Sequence, residues 1–370
     1  MILVLFSVLL SIAALSYLRF LYKCVRDWNL ANTEATEAEF PSVTIVVPAR
    51  NESHHIIRTL QAIDAQNVPL DRVHVFVMDD HSDDGTPKLV LSFMESGTRL
   101  PFRLIELENS FSKKAAIHEA VEQSVADWIV TVDADVDIPD SGWISAMLQE
   151  ADESVSLVCG PVLLEDTQKG IISRLASLES LGLMMIAGAQ VFAGRPLFCN
   201  GANLAFRRNR FIETAGFDRS RLTGDDTDLL HLFPPASVRY CTAPASLVTT
   251  NAPATFKEFI SQRQRWASKI PRVLARRILY IGLMAWIFHA GLLVVSLAAV
   301  FTPLLLWLLP GLLAVKSVME YEVLNTSARR YGKRVNWPVI LLLQPVYCIS
   351  ITIIGFLAVA FPYRWKGRIG

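Results

Sequence analysis

The 370-residue chain has no excess of charge of either sign: Lys and Arg number 35, Asp and Glu 35. Nucleic-acid binders need a basic excess or stripe to neutralise phosphates, so no nucleic-acid partner is expected. Charged residues are scarce at 19%, while hydrophobic ones reach 52%. That balance excludes intrinsic disorder and exceeds what a soluble domain needs. Cysteine is sparse. Cys24, Cys159, Cys199, Cys241 and Cys348 form no C-x-x-C pair. Neither a disulfide framework nor a zinc site is expected, only reduced thiols that are buried or face the cytoplasm. Gly-rich phosphate loops of the G-x-G-x-x-G or G-x-x-x-x-G-K-[ST] kind are also missing. A nucleotide bound here must have its diphosphate held another way. Internal repeats and low-complexity tracts are absent as well.

What the chain does have is long apolar runs. Met1 to Leu18 carries no charge and as a helix reaches about 27 Å. Arg19, Lys23 and Arg26 follow it. No basic n-region or small-residue cleavage site is evident, so residues 1–22 read as an uncleaved anchor with the following chain cytoplasmic. Residues 278–315 have His289 as their only ionisable group. That length suits two crossings, and a transmembrane hairpin is expected over 278–323. Pro303 and Pro310 mark its turn or kink the second helix. His289 is either a functional intramembrane group or one hydrogen-bonded within the bundle. A third block, 335–363, is interrupted by Pro338 and Pro345 and leads to a basic tail, 364–370. Both of its flanks are basic, so loop charge leaves two topologies open: a fourth crossing, or a re-entrant or interfacial segment.

Between the blocks, residues 40–270 are polar enough for a folded domain. Val43–Val47, Val73–Met78, Phe102–Leu107 and Trp128–Val132 are short β-branched or apolar runs of the kind that form buried parallel strands. Helical stretches separate them at Ser53–Gln66, after Thr86-Pro87, and at Ser112–Val125. The alternation predicts an α/β fold with a mostly parallel, helix-covered sheet. Two strands end in acids: Asp79-Asp80, and Asp133-Ala134-Asp135. Ligands of open α/β sheets sit beyond the carboxyl ends of strands. Carboxylates there can hold a hard divalent cation, and Mg²⁺ commonly combines one or two carboxylates with phosphate oxygens. Strand-end acids also serve as turn and cap residues, and Asp83, Asp84 and Asp140 read that way.

Two further elements lie downstream: Thr223-Gly224-Asp225-Asp226-Thr227-Asp228-Leu229 and Gln262-Arg263-Gln264-Arg265-Trp266. On a helix Gln262, Arg265 and Trp266 share one face, offering an amide, a guanidinium and an aromatic plane. Such a face suits a diphosphate and an apolar acceptor channel, or equally an interfacial helix with its Trp at the membrane boundary.

In order and spacing the set resembles the membrane-bound family 2 glycosyltransferases, the group of cellulose and hyaluronan synthases and ceramide glucosyltransferase-like enzymes, whose catalytic domain has the GT-A fold. The resemblance covers roughly residues 40–270 and extends to Trp365-Lys366-Gly367-Arg368. VPARNE (Val47–Glu52) is similar to the family's opening strand and MDDHSDDGT (Met78–Thr86) to its nucleotide-binding acidic loop. Asp133-Ala134-Asp135 is similar to its D-x-D, Asn200–Arg208 to its acceptor-side segment, and Gln262–Trp266 to its Q-x-x-R-W. The T-E-D element reads Gly224-Asp225-Asp226, with Glu shortened to Asp. An Arg often found shortly after it is absent, His231-Leu232 standing there.

The resemblance implies a Rossmann-like, mostly parallel GT-A domain in the cytoplasm plus about four transmembrane helices. It also implies roles. Glu52, Asp79, Asp80, Lys113, Asp133, Gln262, Arg265 and Trp266 bind the nucleotide-sugar donor, with UDP as carrier. Asp133 and Asp135 hold Mg²⁺ or Mn²⁺. Asn200, Gly201, Ala202, Asn203, Asp225 and Trp266 face the acceptor, and Asp226 is the general base. The expected reaction is inverting, metal-dependent transfer of a sugar to a membrane lipid. Residues 167–193, apolar and rich in small residues, are expected to lie along the membrane near that acceptor, in part as a core helix. A processive polysaccharide synthase is the alternative. A catalytically inactive membrane scaffold, or a metal-dependent nucleotidyl- or phosphotransferase, is the alternative from another class. The compact chain suggests a bacterial plasma membrane. The sequence leaves the sugar, the lipid and the oligomeric state open.

Overall fold

The computed structural model describes residues 2–30, 39–108, 112–149, 151–214, 216–217, 224–268, 275–302, 304–360, 364–365 and 368–369. In chain order the elements begin with α1 (Ile2–Asn29), β1 (Val43–Ala49), α2 (Ile56–Asp64), β2 (Val73–Asp79), α3 (Thr86–Glu95) and β3 (Phe102–Glu106). Next come α4 (Lys113–Gln123), β4 (Trp128–Val132), α5 (Trp143–Leu148), β5 (Leu157–Cys159), β6 (Val162–Glu165), α6 (Ile171–Phe192) and β7 (Asn203–Arg207). They continue with α7 (Arg208–Ile212), α8 (Asp225–Leu232), β8 (Val238–Tyr240), β9 (Val248–Asn251) and α9 (Phe256–Ser268). The last are α10 (Ala275–Ala299), α11 (Leu304–Arg330), α12 (Trp337–Ala360), β10 (Arg364–Trp365) and β11 (Arg368–Ile369). The chain divides into an α/β unit, 31–165 with 190–251, and a helical unit, 1–30 with 166–189 and 252–370. The single 40–270 domain read from the sequence is thus shared out, with 166–189 and 252–270 grouped with the helices. Of the motif set, Thr223, Lys366 and Gly367 lie outside the described residues.

The α/β unit is built on a seven-stranded sheet in the order β3-β2-β1-β4-β7-β5-β8. Strands β3, β2, β1 and β4 are mutually parallel; the central β1 and β4 are apolar and buried almost throughout, while edge strand β3 carries Arg103 and Glu106. β7 runs antiparallel to β4 and β5, and β6 pairs with β9 in a small second sheet. β1 continues through Pro48 to Ala49, where the sequence read an end. Its pairing with β4 stops at Val46, so the proline lies where only β2 is paired to it. α2 buries Ile56, Thr59, Leu60 and Ile63, one helical face. The three aliphatic residues of that face join Ile45, Val75 and Val130 of the strands, and Trp143 and Met147 of α5, in one apolar core. Each fully buried aliphatic side chain contributes about 1.5–3 kcal/mol.

In the helical unit α1, α10, α11 and α12 pack together, and Ala13, Phe288, Leu292 and Cys348 form an apolar cluster among them. Close approach uses missing side chains: a Cβ on Gly291 would lie 2.5 Å from Leu10, and one on Gly355 2.2 Å from Trp286. Among the described residues four helices are long and apolar enough to cross a membrane, over Leu5–Asn29, Ile171–Phe192, Arg276–Ala299 and Trp337–Leu357. Four were expected, but α6 is among them and α11 is not. Lys316 and Glu320 interrupt α11, yet both are buried and paired to each other. The predicted break in the hairpin falls at 300–303, with Pro303 outside the described residues, and Pro310 lies inside α11. His289 Nδ1 lies 2.7 Å from the Ala285 carbonyl one turn earlier in its own helix, and its ring packs edge-on against Tyr17 of α1 and Tyr347 of α12.

Candidate active site

Three loops leave the carboxyl ends of β1, β2 and β4, where the strand order turns about β1. This edge is the usual ligand crevice of an open parallel sheet. The loops after β1 and β2 are stitched together by polar bonds. Asn51 N–H donates to Ser82 Oγ (2.9 Å), Ser53 N–H to Asp84 Oδ2 (2.9 Å), Glu52 N–H to Thr86 Oγ1 (2.9 Å), and Asp83 N–H to Asn51 Oδ1 (2.9 Å). Burial pushes the Asp84 carboxyl up, but bonds from Thr86 and Ser53 outweigh it and hold the group well below the usual range. The Asp84 carboxylate therefore shapes the turn and Asp140 accepts from Gly142 N–H at 2.7 Å, as read from the sequence, while Asp83 joins the turn through its backbone N–H. Asn51 and His81 both adopt the left-handed conformation, φ +56 and +58, a cost accepted where the chain must turn sharply toward the site.

Asp79 and Asp80 are buried, 3% and 7% exposed. Asp79 Oδ2 accepts from Ser82 N–H at 3.0 Å, while Oδ1 is buried without a hydrogen-bond partner among the described residues. Such an atom costs free energy unless a ligand donates to it. Asp80 lies 3.5 Å from Arg50 and 3.2 Å from His81. Burial pushes its carboxyl up, against the pull of those two neighbours.

Asp133 and Asp135 follow β4. Their loop is held from beneath by Thr59, whose hydroxyl is 2.9 Å from both the Ala134 and Val136 carbonyls. Burial, then the negative charges of Asp133 and Glu52, push Asp135 up to about 6. Crowded carboxylates with this mutual repulsion fit a divalent cation. Among the described residues no three His, Cys, Asp or Glu side chains are arranged to hold a metal by themselves. A cation here would complete its shell with phosphate oxygens and water.

Ser112 caps α4 by accepting from Ala115 N–H at 3.1 Å, and this sets Lys113 at the helix start. Lys113 Nζ is 2.6 Å from Asp133 and 3.1 Å from Asp225, and it donates to the Gly201 carbonyl at 3.0 Å. Burial alone would lower its pKa, but the two carboxylates hold the ammonium well above the ordinary lysine value. The next residue, Lys114, is 2% exposed and pairs with Asp228 at 2.6 Å. α4 thus grips α8 twice. The acids in the first turn of α8 also suit its positive end. Asp226 is 7% exposed, its Oδ1 accepting from Thr227 N–H and Oγ1 at 2.7 and 3.0 Å.

In the segment leading into β7, a Cβ at Gly201 would lie 2.6 Å from Asp225 Oδ2 and 3.4 Å from Asp226 Cβ. Asn200 Oδ1 accepts from Ala202 N–H at 3.1 Å, turning the chain into β7. Asn203 corrects one expectation. It is fully buried, and its amide is spent on Trp143 Nε1, Pro161 O and Ser246 O, so it builds the core under the segment and offers nothing to an acceptor.

Gln262, Arg265 and Trp266 lie on one helix, α9, as predicted, within the helical unit. There the sequence missed Arg263, 4% exposed, which bonds Gln262 and Glu179 and covers Trp266. Arg50, Lys114 and Asp228 were also missed. Arg50 and Asp228 stand inside quoted motifs and Lys114 follows Lys113, so position in or beside a motif was their signal.

Residues 44–214 match the family described as Glycosyl transferase family 2. A probable glycosyltransferase, YdaM, of Bacillus subtilis is 26% identical over 243 residues, covering 65% of this chain and 57% of the relative. An N-acetylglucosaminyltransferase of Rhizobium meliloti is 27% identical, covering 70% and 62%. The poly-beta-1,6-N-acetyl-D-glucosamine synthase of Staphylococcus aureus is 23% identical, covering 64% and 57%. The chain therefore spans little more than half the length of the curated relatives it matches. Among solved structures, mannosyltransferase PcManGT from Pyrobaculum calidifontis, in complex with GDP-Man and Mn²⁺, superposes with a TM-score of 0.63 at 20% identity, over 88% of this chain and 98% of that one. Residues 44–214 thus carry a family 2 glycosyltransferase domain with a GT-A fold, and among the described residues four helices are apolar enough to span a membrane.

Proposed function

We propose that the protein transfers a sugar from a nucleoside diphosphate sugar to a hydroxyl of a membrane lipid, inverting the anomeric centre. The observation that carries this reading is the Lys113 bridge. It joins Asp133, on the donor side, to Asp225, the neighbour of the one acid placed as base.

In this reading Asp79 and Asp80, with Arg50, receive the nucleoside, and the unpartnered Asp79 Oδ1 accepts from its base or ribose. Asp133 and Asp135 would hold Mg²⁺ or Mn²⁺, and the cation would supply charge neutralisation for the diphosphate leaving group. Lys113 adds a cation beside the same oxygens, and Arg265 of α9 is assigned the same work. Gln262 and Trp266 complete the donor set, with Glu52 beside the metal carboxylates. Asn200, Gly201, Ala202 and Asp225 are assigned to the acceptor, and Trp266 keeps the acceptor role that the family resemblance implies. Asp226 takes the proton from the acceptor hydroxyl as its oxygen attacks the anomeric carbon. The bond from that carbon to the diphosphate oxygen breaks, and the nucleoside diphosphate leaves with the electron pair. One displacement inverts the centre, so an α-linked donor gives a β-glycoside.

Support for a lipid acceptor comes from the helical unit. Leu5, Leu279, Leu297, Leu342 and Phe356 are 63–77% exposed on helices of membrane-spanning length. The catalytic unit then lies on the cytoplasmic side of a bacterial plasma membrane. A second reading, processive synthesis of a polysaccharide, is favoured by the named activity of the Staphylococcus aureus relative. The test incubates detergent-solubilised protein with UDP-N-acetylglucosamine, other UDP-sugars and GDP-mannose, a total lipid extract, and Mn²⁺ or Mg²⁺. Metal-dependent formation of one lipid-linked sugar supports the first reading, and long insoluble polymer supports the second. No nucleotide release from folded protein with any donor overturns both.

A further inference from the structure

The three partners of Lys113 come from three separate parts of the α/β unit. Asp133 closes β4, Asp225 opens α8, and Gly201 lies on the segment leading into β7. The ammonium is thus shared between a carboxylate assigned to the metal and two groups on the acceptor side. Gly201 leaves no room for a side chain between them: a Cβ there would meet Lys113 Nζ at 3.1 Å as well as Asp225.

We propose that Lys113 couples the two halves of the site by competing with the divalent cation for Asp133. This inference rests on the donor and metal assignment above. Coulomb energy falls as the inverse of distance, and in a partly buried site an ammonium 2.6 Å from Asp133 weakens that carboxylate's hold on any second cation. Once Asp133 is taken, Lys113 is repelled from it and binds Asp225 and the Gly201 carbonyl more tightly. Donor loading therefore firms the turn beside Asp226 before an acceptor is used. The coupling is reciprocal. Whatever strengthens the hold of Asp225 on Lys113 raises affinity for the metal, and loss of the Asp225 charge lowers it. A residue that only contacted the diphosphate would leave binding of the metal alone unchanged. A residue that only maintained the loop geometry would, when removed, loosen it.

The test titrates Mn²⁺ alone into the full-length protein in detergent and follows free Mn²⁺ by electron paramagnetic resonance, with no sugar nucleotide present. Lys113→Gln is expected to bind Mn²⁺ about 5–10-fold tighter, and Asp225→Asn weaker by a similar factor. Lys113→Arg, which keeps the charge, stays near the wild type. Unchanged or weaker Mn²⁺ binding in Lys113→Gln, at wild-type melting temperature, overturns the proposal. If Lys113→Gln does not fold, Asp225→Asn decides alone, and unchanged or tighter binding there overturns it. Wild-type protein that binds no Mn²⁺ but transfers sugar also overturns it, and leaves the transferase reading standing.

Discussion

Arg263 of α9 donates through Nε to Glu179 of α6 at 2.8 Å, and its guanidinium lies over the rings of Phe259 and Trp266, 4.4 and 4.1 Å from their centroids. The helix carrying Gln262, Arg265 and Trp266 is thereby tied to an apolar helix by a buried ion pair. Breaking one partner leaves a buried charge unpaired. Glu179→Gln and Arg263→Met are each expected to cost about 3–5 kcal/mol, while Glu179→Met with Arg263→Met recovers much of it. Unfolding in mixed micelles measures this, and single variants as stable as the double would refute it.

Gly201→Ala tests the crowding around Asp225. The new methyl must displace Asp225 or Lys113, and errors near 1 Å at a reacting centre cost up to about 100-fold in rate. Turnover is expected to fall by about 10–100-fold with a melting temperature within a few degrees of wild type. Wild-type turnover would show that the segment has slack.

Asp226→Asn keeps the shape and removes the base. Turnover should drop about 10²–10⁴-fold while Mn²⁺ affinity stays put. A drop confined to donor KM would instead place Asp226 in donor binding.

Asp135 makes a stability prediction. Its folded-state pKa, about 6, exceeds the unfolded carboxylate value. Between those values the folded protein binds more protons than the unfolded one, so this group's contribution falls as pH rises through that window. Metal-free protein is therefore expected to gain stability from pH 7.5 to 5 through Asp135. Asp135→Asn should raise the melting temperature at pH 7.5, flatten that pH dependence, and weaken Mn²⁺ binding. A variant less stable than wild type at pH 7.5 without metal would contradict this.

Inside the helical unit, Lys316 contacts both oxygens of Glu320 at 2.7 and 2.8 Å. Tyr17 and Gln344 donate to the same carboxylate, each at 2.7 Å. Three helices thus meet at one buried charge. Lys316→Met should destabilise by about 3–5 kcal/mol, and adding Glu320→Met should restore most of the loss. Equal stability of the single variant and wild type would show that the cluster is solvated.

The sequence by itself determined the α/β class, the first four strands and the acids at their ends, because parallel strands buried on both faces must be apolar runs and their ligand edge is fixed by chain direction. It also determined that α9 is a helix and that Asp84 and Asp140 serve turns. Only the tertiary structure decided which polar residues were committed elsewhere. Asn203 sits inside a motif yet spends its amide on three core partners, and Arg263 is an unmarked motif position yet anchors its helix. The sequence read 278–323 as a membrane hairpin and so made α11 a crossing, and only the structure shows how its Lys316 and Glu320 are buried, by pairing with each other. The Lys113 bridge has the same origin: its partners lie 20, 88 and 112 positions away in the chain, and only folding brings them within about 3 Å.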